Sequence, residues 1–246
     1  MNSSNQIIVA LDTEPELARA LARKLQGRAD WLKVGMTLYY AAGPAIIAEF
    51  KDMGFKVFVD LKLHDIPHQV EGAARVIAKA GANMITAHAA GGASMMQAVC
   101  KGASEGFIER FADDNASEAL SKNERPICLA ITVLTSLGAS ALATTGVTID
   151  PARQALNMAA LAKGAGMDGI VCSPKEVGQI RQKAGEGFVL VTPGVRPAGS
   201  QKGDQARTAN PSEALAAGSD YLVIGRPITD APDPLAAFDA ICKEIQ

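Results

Sequence analysis

The feature that most constrains this chain is an alternation. Short apolar or β-branched runs recur along it: IIVAL (7–11), WLKVG (31–35), KVFVDLK (56–62), MITAHA (84–89), ICLAITVL (127–134), GIVCS (169–173), VLVTPGV (189–195) and YLVIGR (221–226). Most neighbours are separated by a segment with helical spacing. Leu17, Leu21 and Leu25 stand at i, i+4 and i+8, Ile46, Ile47 and Phe50 share a face, and so do Val70, Ala74 and Ile77. Repeated strand–helix–strand order implies parallel strands joined by right-handed crossovers. About eight such units in 246 residues is the count of a closed (β/α)8 barrel, the TIM barrel. The expectation is a single α/β domain over residues 1–246. An open doubly wound sheet is the competing fold. Its usual mark is a glycine-rich turn after the first strand, and ALDTEPEL has no glycine there.

One GxGxxG does occur, GAGMDG at 164–169. It follows a helical segment and precedes a strand, the wrong order for cradling a pyrophosphate. A helix-ending glycine and a tight turn account for it, as in KAGANMI (79–85). Two segments break the alternation. FIERFADDNASEALSKNER (107–125) is polar and poor in β-branched residues, and is expected to be a partly helical surface insertion before the fifth strand. RPAGSQKGDQARTANP (196–211) follows a strand end, where barrel active-site loops lie, and residues 196–210 are expected to form such a loop.

The third run carries unexpected charge. Strand side chains alternate, so Phe58, Asp60 and Lys62 share one face while Val57, Val59 and Leu61 form an apolar outer face against the helices. Asp60 and Lys62 then point into the barrel at the C-terminal end of the strand, where barrel active sites are built. Other strands aim at the same rim: Asp12 after the first, Lys33 in the second, His88 in the fourth, Thr135 and Ser136 after the fifth, Pro193 and Arg196 at the seventh, Gly225 and Arg226 at the eighth. Taken singly, a rim Asp or Lys is usually solvated, and His88 alone is expected to be hydrogen-bonded filler. Lys33, Asp60, Lys62 and Asp65 together are different, because burying four charges is costly unless they neutralise each other or a ligand. On the opposite side, Gly225 and Arg226 after PGVR suit a phosphate: backbone N–H groups can approach oxygen, and a guanidinium can bind it in bidentate fashion.

Composition narrows the partners. The net charge is −2 with no Lys/Arg-rich block, which argues against nucleic acid. No apolar run reaches the ~18 residues of a membrane span. MNSSNQIIVALD enters a strand-like run without a secretory pattern, and Cys100, Cys128, Cys172 and Cys242 form no CxxC pair, so a cytoplasmic protein with reduced thiols is expected. His64, His68 and His88 fit no HExxH or Cys/His pattern, so no metal is expected.

These motifs, VALD, KVG, DLKLHDIP, AHAAGG, LTS (134–136), TPGVR, GDQ (203–205) and IGRPI, run through nearly the whole chain. Together they resemble the orotidine 5′-monophosphate decarboxylase family of bacterial type. The resemblance implies a (β/α)8 barrel that needs no cofactor, works as a cytoplasmic homodimer, and converts orotidine 5′-monophosphate to uridine 5′-monophosphate in pyrimidine biosynthesis. It implies Lys62 as proton donor to C6 of the pyrimidine, Asp60 as the carboxylate beside the departing CO₂, and Asp65 as an acid supplied across the dimer interface. Asp12 and Lys33 are implied as ribose contacts, and Thr135 and Ser136 as pyrimidine neighbours. Ile66 and Pro193 are implied as further substrate contacts, and Arg196, Gln205, Gly225 and Arg226 as phosphate ligands. Gln69 departs from the pattern, since many relatives have IPNT where this chain has IPHQ. Two alternatives stand beside this expectation. One is a metal-dependent sister enzyme, a hexulose-phosphate synthase or keto-gulonate-phosphate decarboxylase, against which HDIP argues. The other is a catalytically silent phosphate-binding barrel.

Overall fold

The computed structural model describes residues 3–112, 124–197 and 209–246. Its strands are β1 (Ile7–Ala10), β2 (Trp31–Gly35), β3 (Lys56–Leu63), β4 (Met84–His88), β5 (Ile127–Ile131), β6 (Gly169–Val171), β7 (Val189–Pro193) and β8 (Tyr221–Ile224). They pair in parallel in sequence order, and β8 closes on β1. The expected closed eight-stranded barrel is therefore the fold, and the open doubly wound sheet is not. The helices are α1 (Pro15–Leu25), α2 (Met36–Ala42), α3 (Ala45–Asp52), α4 (Pro67–Lys79), α5 (Gly92–Arg110), α6 (Ala139–Thr144), α7 (Pro151–Gly164), α8 (Val177–Ala184), α9 (Pro211–Ala216), α10 (Arg226–Thr229) and α11 (Pro234–Glu244).

Local chemistry explains where these helices start. Proline occupies the first position of α1, α4, α7, α9 and α11, where its missing N–H is no loss and its fixed φ suits the helix. Asp150 caps α7 by accepting from the N–H groups of Ala152 and Arg153 at 3.0 Å. Asn210 and Glu213 form a reciprocal capping box on α9. In the GAGMDG stretch, Gly166 takes φ +81° just past α7, which confirms a turn rather than a phosphate loop.

Period-two alternation divides the core. Ile7, Val9, Leu32, Val34, Val57 and Val59 face outward to the helices, where they meet Val70, Ala74 and Ile77 of α4 and Ile46, Ile47 and Phe50 of α3. Ile8, Trp31, Phe58, Met84, Leu129, Val191 and Val223 face inward and fill the barrel. Burial of such side chains contributes ~1.5–3 kcal/mol each before entropy is counted. Leu21 and Leu25 are buried as their spacing predicts, but Leu17 is half exposed, because the first turn of α1 stands above the rim. Of the segment 107–125, Phe107–Arg110 form the last turn of α5, in keeping with a partly helical reading, while 113–123 lie outside the described residues. Gly102 and Gly106 of α5 lie directly on the carbonyls of Glu71 and Arg75 of α4, where any Cβ would clash. This close crossing fixes α4, and with it the loop between β3 and α4.

Candidate active site

A cavity of about 540 Å³ opens at the C-terminal end of the barrel. Its charged side is built by three strands. On β2, Trp31 packs in the interior and Lys33, two residues on, rises to the floor of the cavity. On β3, Asp60 sits two residues above Phe58 in the same way. Lys33 is 6% exposed and Asp60 8%. The Lys33 ammonium donates to Asp12 at 2.7 Å and lies 3.4 Å from Asp60, while Lys62 donates to Asp60 at 2.9 Å.

The charges hold each other. Burial works against both buried groups and is the largest influence on each. Asp60 and then Asp12 overcome it at Lys33, raising its pKa above the ordinary lysine value. Lys33 and Lys62, with hydrogen bonds from Lys62 and Thr86, overcome it at Asp60 and hold its carboxyl below the usual range. An Asp60 without these cations would face a desolvation cost of several kcal/mol. Gly35 keeps the arrangement open, because a Cβ there would collide with the Asp12 carboxylate.

Lys62 reaches the site by a route that simple alternation does not describe. Val59 pairs with Ile85 and Leu63 pairs with Ala87, so three residues of β3 stand opposite Thr86 alone. Within this bulge Lys62 takes φ +55°, a left-handed conformation that costs a residue with a Cβ roughly 1–2 kcal/mol. Its N–H donates to the Thr86 hydroxyl at 2.9 Å, and that hydroxyl donates to Asp60 at 3.0 Å. Thr86 is fully buried and joins the backbone of one functional candidate to the side chain of another. Sequence reasoning missed it, since a threonine in MITAHA reads as an ordinary strand residue.

The opposite wall holds Pro193, Gly194, Arg196, Gly225 and Arg226, and Thr135 lies at the edge with Ile131, Val133 and Leu134 as an apolar wall. Leu17 closes part of the mouth. Val195 bridges Ala209, and the Arg196 N–H donates to the Ala209 carbonyl at 2.9 Å, so the two ends of the expected 196–210 loop run side by side. Gln205 lies outside the described residues. Ser136 is exposed in the turn after β5 and does not line the cavity. Neither Asp65 nor Ile66 lines it. Asp65 is exposed and accepts the Ile66 N–H at 2.7 Å, and among the described residues it makes no salt bridge with Lys62. Ile66 is 63% exposed, and Gln69 is exposed in the first turn of α4. The expected filler His88 is not satisfied: its buried Nδ1 has no hydrogen-bond partner among the described residues.

This order of residues is also found in known proteins. A family model described as "Orotidine 5'-phosphate decarboxylase / HUMPS family" matches residues 5–241. The chain belongs to that family. It is 47% identical over 250 residues to the orotidine 5′-phosphate decarboxylase of Moorella thermoacetica, covering 100% of this chain and 94% of the relative. It is 48% identical over 243 residues to that of Anaeromyxobacter sp. (strain K), covering 98% of each. Among solved structures, the orotidine 5′-phosphate decarboxylase from Lactobacillus acidophilus superimposes with a TM-score of 0.84 at 37% identity, covering 98% of this chain and 99% of that one. An uncharacterized conserved protein from Geobacillus kaustophilus does so with a TM-score of 0.81, also at 37% identity and over 98% and 100% of the two chains. Membership of the orotidine 5′-phosphate decarboxylase / HUMPS family agrees with the resemblance carried by DLKLHDIP, TPGVR and IGRPI.

Proposed function

We propose that this chain decarboxylates orotidine 5′-monophosphate to uridine 5′-monophosphate, a step of pyrimidine biosynthesis, as a carboxy-lyase that uses no cofactor. The observation that carries the reading is Asp60 buried between the Lys33 and Lys62 ammonium groups on the cavity floor, in a chain whose full-length relatives bear that enzyme's name.

The chemistry follows from the charges. Loss of CO₂ from C6 leaves an electron pair in an in-plane sp² orbital that the ring delocalises poorly. A cation aimed at C6 stabilises that pair and then supplies the proton, so Lys62 joins electrostatic stabilisation to acid catalysis. Asp60 faces the substrate carboxylate and repels it until CO₂ departs, a smaller effect than stabilising the carbanion. Asp12 and Lys33 hold ribose hydroxyls. Thr135 holds the pyrimidine, with Pro193 as a further contact. Ser136, in the turn beside Thr135, and Ile66, beside Asp65, do not line the cavity within this chain, and a substrate contact for them requires a bound or dimeric state. Arg196, Gln205, Gly225 and Arg226 bind the phosphate. Binding energy at the phosphate excludes water and aligns C6 with Lys62. Of the expected closing loop, 196–210, residues 198–208 lie outside the described residues.

The working unit is a cytoplasmic homodimer of single-domain barrels. Asp65 does not meet Lys62 within its own chain, which supports a role in the partner's site. Among the described residues no helix is long and apolar enough to cross a membrane.

The test is incubation of metal-stripped protein with orotidine 5′-monophosphate in EDTA, following loss of the orotate absorbance. Turnover is expected to persist. Turnover that requires added Mg²⁺ would instead favour a metal-dependent sister activity, and nucleotide binding without turnover would favour a silent barrel.

A further inference from the structure

Lys62 sits on a backbone that does not hold itself in place. Its left-handed φ and the three-against-one bulge must be backed by neighbours, and β4 supplies them. Thr86 backs the bulge from below. Two residues further along β4, at its last position, the His88 ring stacks on the His64 ring, with centroids 5.3 Å apart and planes 29° from parallel. His64 follows Lys62 by two residues, so the stack fastens the segment leaving Lys62 to the rim of β4. The seat is shaped for it. Gly91 lies close under Met95, and a Cβ on Gly91 would come within 3.2 Å of Cδ2 of His64.

We infer that His88, with His64 stacked upon it, is a positioning residue that sets the aim of the Lys62 ammonium. Neither histidine lines the cavity, so neither is offered a direct contact with substrate. An ordinary structural histidine would have its ring nitrogens satisfied, because an unmatched buried polar atom costs ~1–3 kcal/mol. His88 keeps its Nδ1 buried and unmatched among the described residues. Burial first, then His64 and Lys62, hold its pKa below the ordinary histidine value. A neutral ring can lie beside Lys62 without adding a second cation. Lys62 and His64 are the charged or titratable groups acting on it, while its register partner on β5 is Ile131.

The inference rests on Lys62 being the proton donor, and the experiment separates the two. kcat and KM for orotidine 5′-monophosphate are measured for His88→Gln, His64→Ala, His64→Phe and Lys62→Ala, with folding checked by circular dichroism. A ~1 Å misplacement of a reacting group costs about 100-fold, so kcat is expected to fall at least about tenfold in His88→Gln and His64→Ala. KM is expected to stay within about twofold, because the phosphate anchor is untouched. His64→Phe, which keeps the stack, is expected to recover most of the lost kcat. Folded His88→Gln and His64→Ala proteins with unchanged kcat, or with changes in KM alone, would overturn the positioning role while an inactive Lys62→Ala left the proposed function intact. A fully active Lys62→Ala would overturn both.

Discussion

The backbone N–H of Lys62 donates to the Thr86 hydroxyl at 2.9 Å, and through it the bulge in β3 is tied to β4. The same hydroxyl serves Asp60 at 3.0 Å, so one buried atom orients both members of the Asp60–Lys62 pair.

Removing that hydroxyl is therefore expected to affect stability and activity together. Thr86→Val keeps the shape but leaves the Lys62 N–H and one Asp60 oxygen short of a partner, an expected loss of ~1–3 kcal/mol in urea unfolding. kcat is expected to fall with it. Thr86→Ser loses only a methyl, worth ~0.8 kcal/mol, and should retain kcat within a few-fold. Equal kcat values for the Val and Ser variants would show that the hydroxyl does not orient the pair.

The left-handed backbone at Lys62 gives a second expectation. Both Lys62→Gly and Lys62→Ala remove the ammonium from Asp60, so that loss is common to them. Glycine adopts φ near +55° without strain and alanine does not. Despite glycine's larger unfolded-state entropy, Lys62→Gly is expected to be more stable than Lys62→Ala by ~1 kcal/mol. The reverse order in urea would contradict the strained bulge.

Asp65 supports a test of assembly. Lys62→Ala and Asp65→Ala proteins are each expected to be inactive. Unfolded together and refolded, they form heterodimers in which one site has both groups, and activity is expected to return to about a quarter of wild type if subunits mix at random and each complete site works alone. No recovery in a preparation with confirmed heterodimers would place Asp65 in its own chain's site.

His88 predicts the direction of acid sensitivity. Its folded pKa lies below the ordinary 6.5, through burial first and then His64 and Lys62. Between the folded value and 6.5 the unfolded chain therefore holds a proton that the native chain does not. His88 thus contributes stability above 6.5 that is lost as the pH falls through that window. The Tm difference between about pH 7.5 and about pH 5.5 is expected to be smaller in His88→Gln than in wild type. Asp60, also held low, acts further down, below its ordinary 3.8, and does not obscure this window. An unchanged difference would mean that His88 titrates normally.

Much of this was legible in the chain. Alternation placed Phe58 and Asp60 inward and Val57 and Val59 outward, because a pleated strand with one apolar face has little choice. The strand count and the helical spacing of Val70, Ala74 and Ile77 led to the closed barrel. The bulge was not legible, since a mismatch of three residues against Thr86 is a property of two strands and not of either sequence. Thr86 gave no signal for the same reason. Leu17 kept perfect helical spacing yet stands above the rim, because spacing reports a face and not how far the helix extends past the barrel. Where α5 ends within the polar segment 107–125 was not legible, because the composition of Phe107–Arg110 continues smoothly into the residues beyond, while the Gly102 and Gly106 contacts hold α5 against α4. The role proposed for Asp65 came only from resemblance, since an exposed acid that accepts no more than the Ile66 N–H has no pattern of its own in this chain.

The central claim is that Lys62 stabilises and protonates C6. It is tested most directly by comparing kcat for orotidine 5′-monophosphate in wild type and Lys62→Ala, with nucleotide affinity measured separately by calorimetry. The account expects Lys62→Ala to bind uridine 5′-monophosphate through the phosphate side of the cavity while kcat falls by more than about 1,000-fold, the scale on which a charge-stabilising group acts together with proton transfer. A folded Lys62→Ala protein that binds nucleotide and keeps kcat within about tenfold of wild type would contradict it.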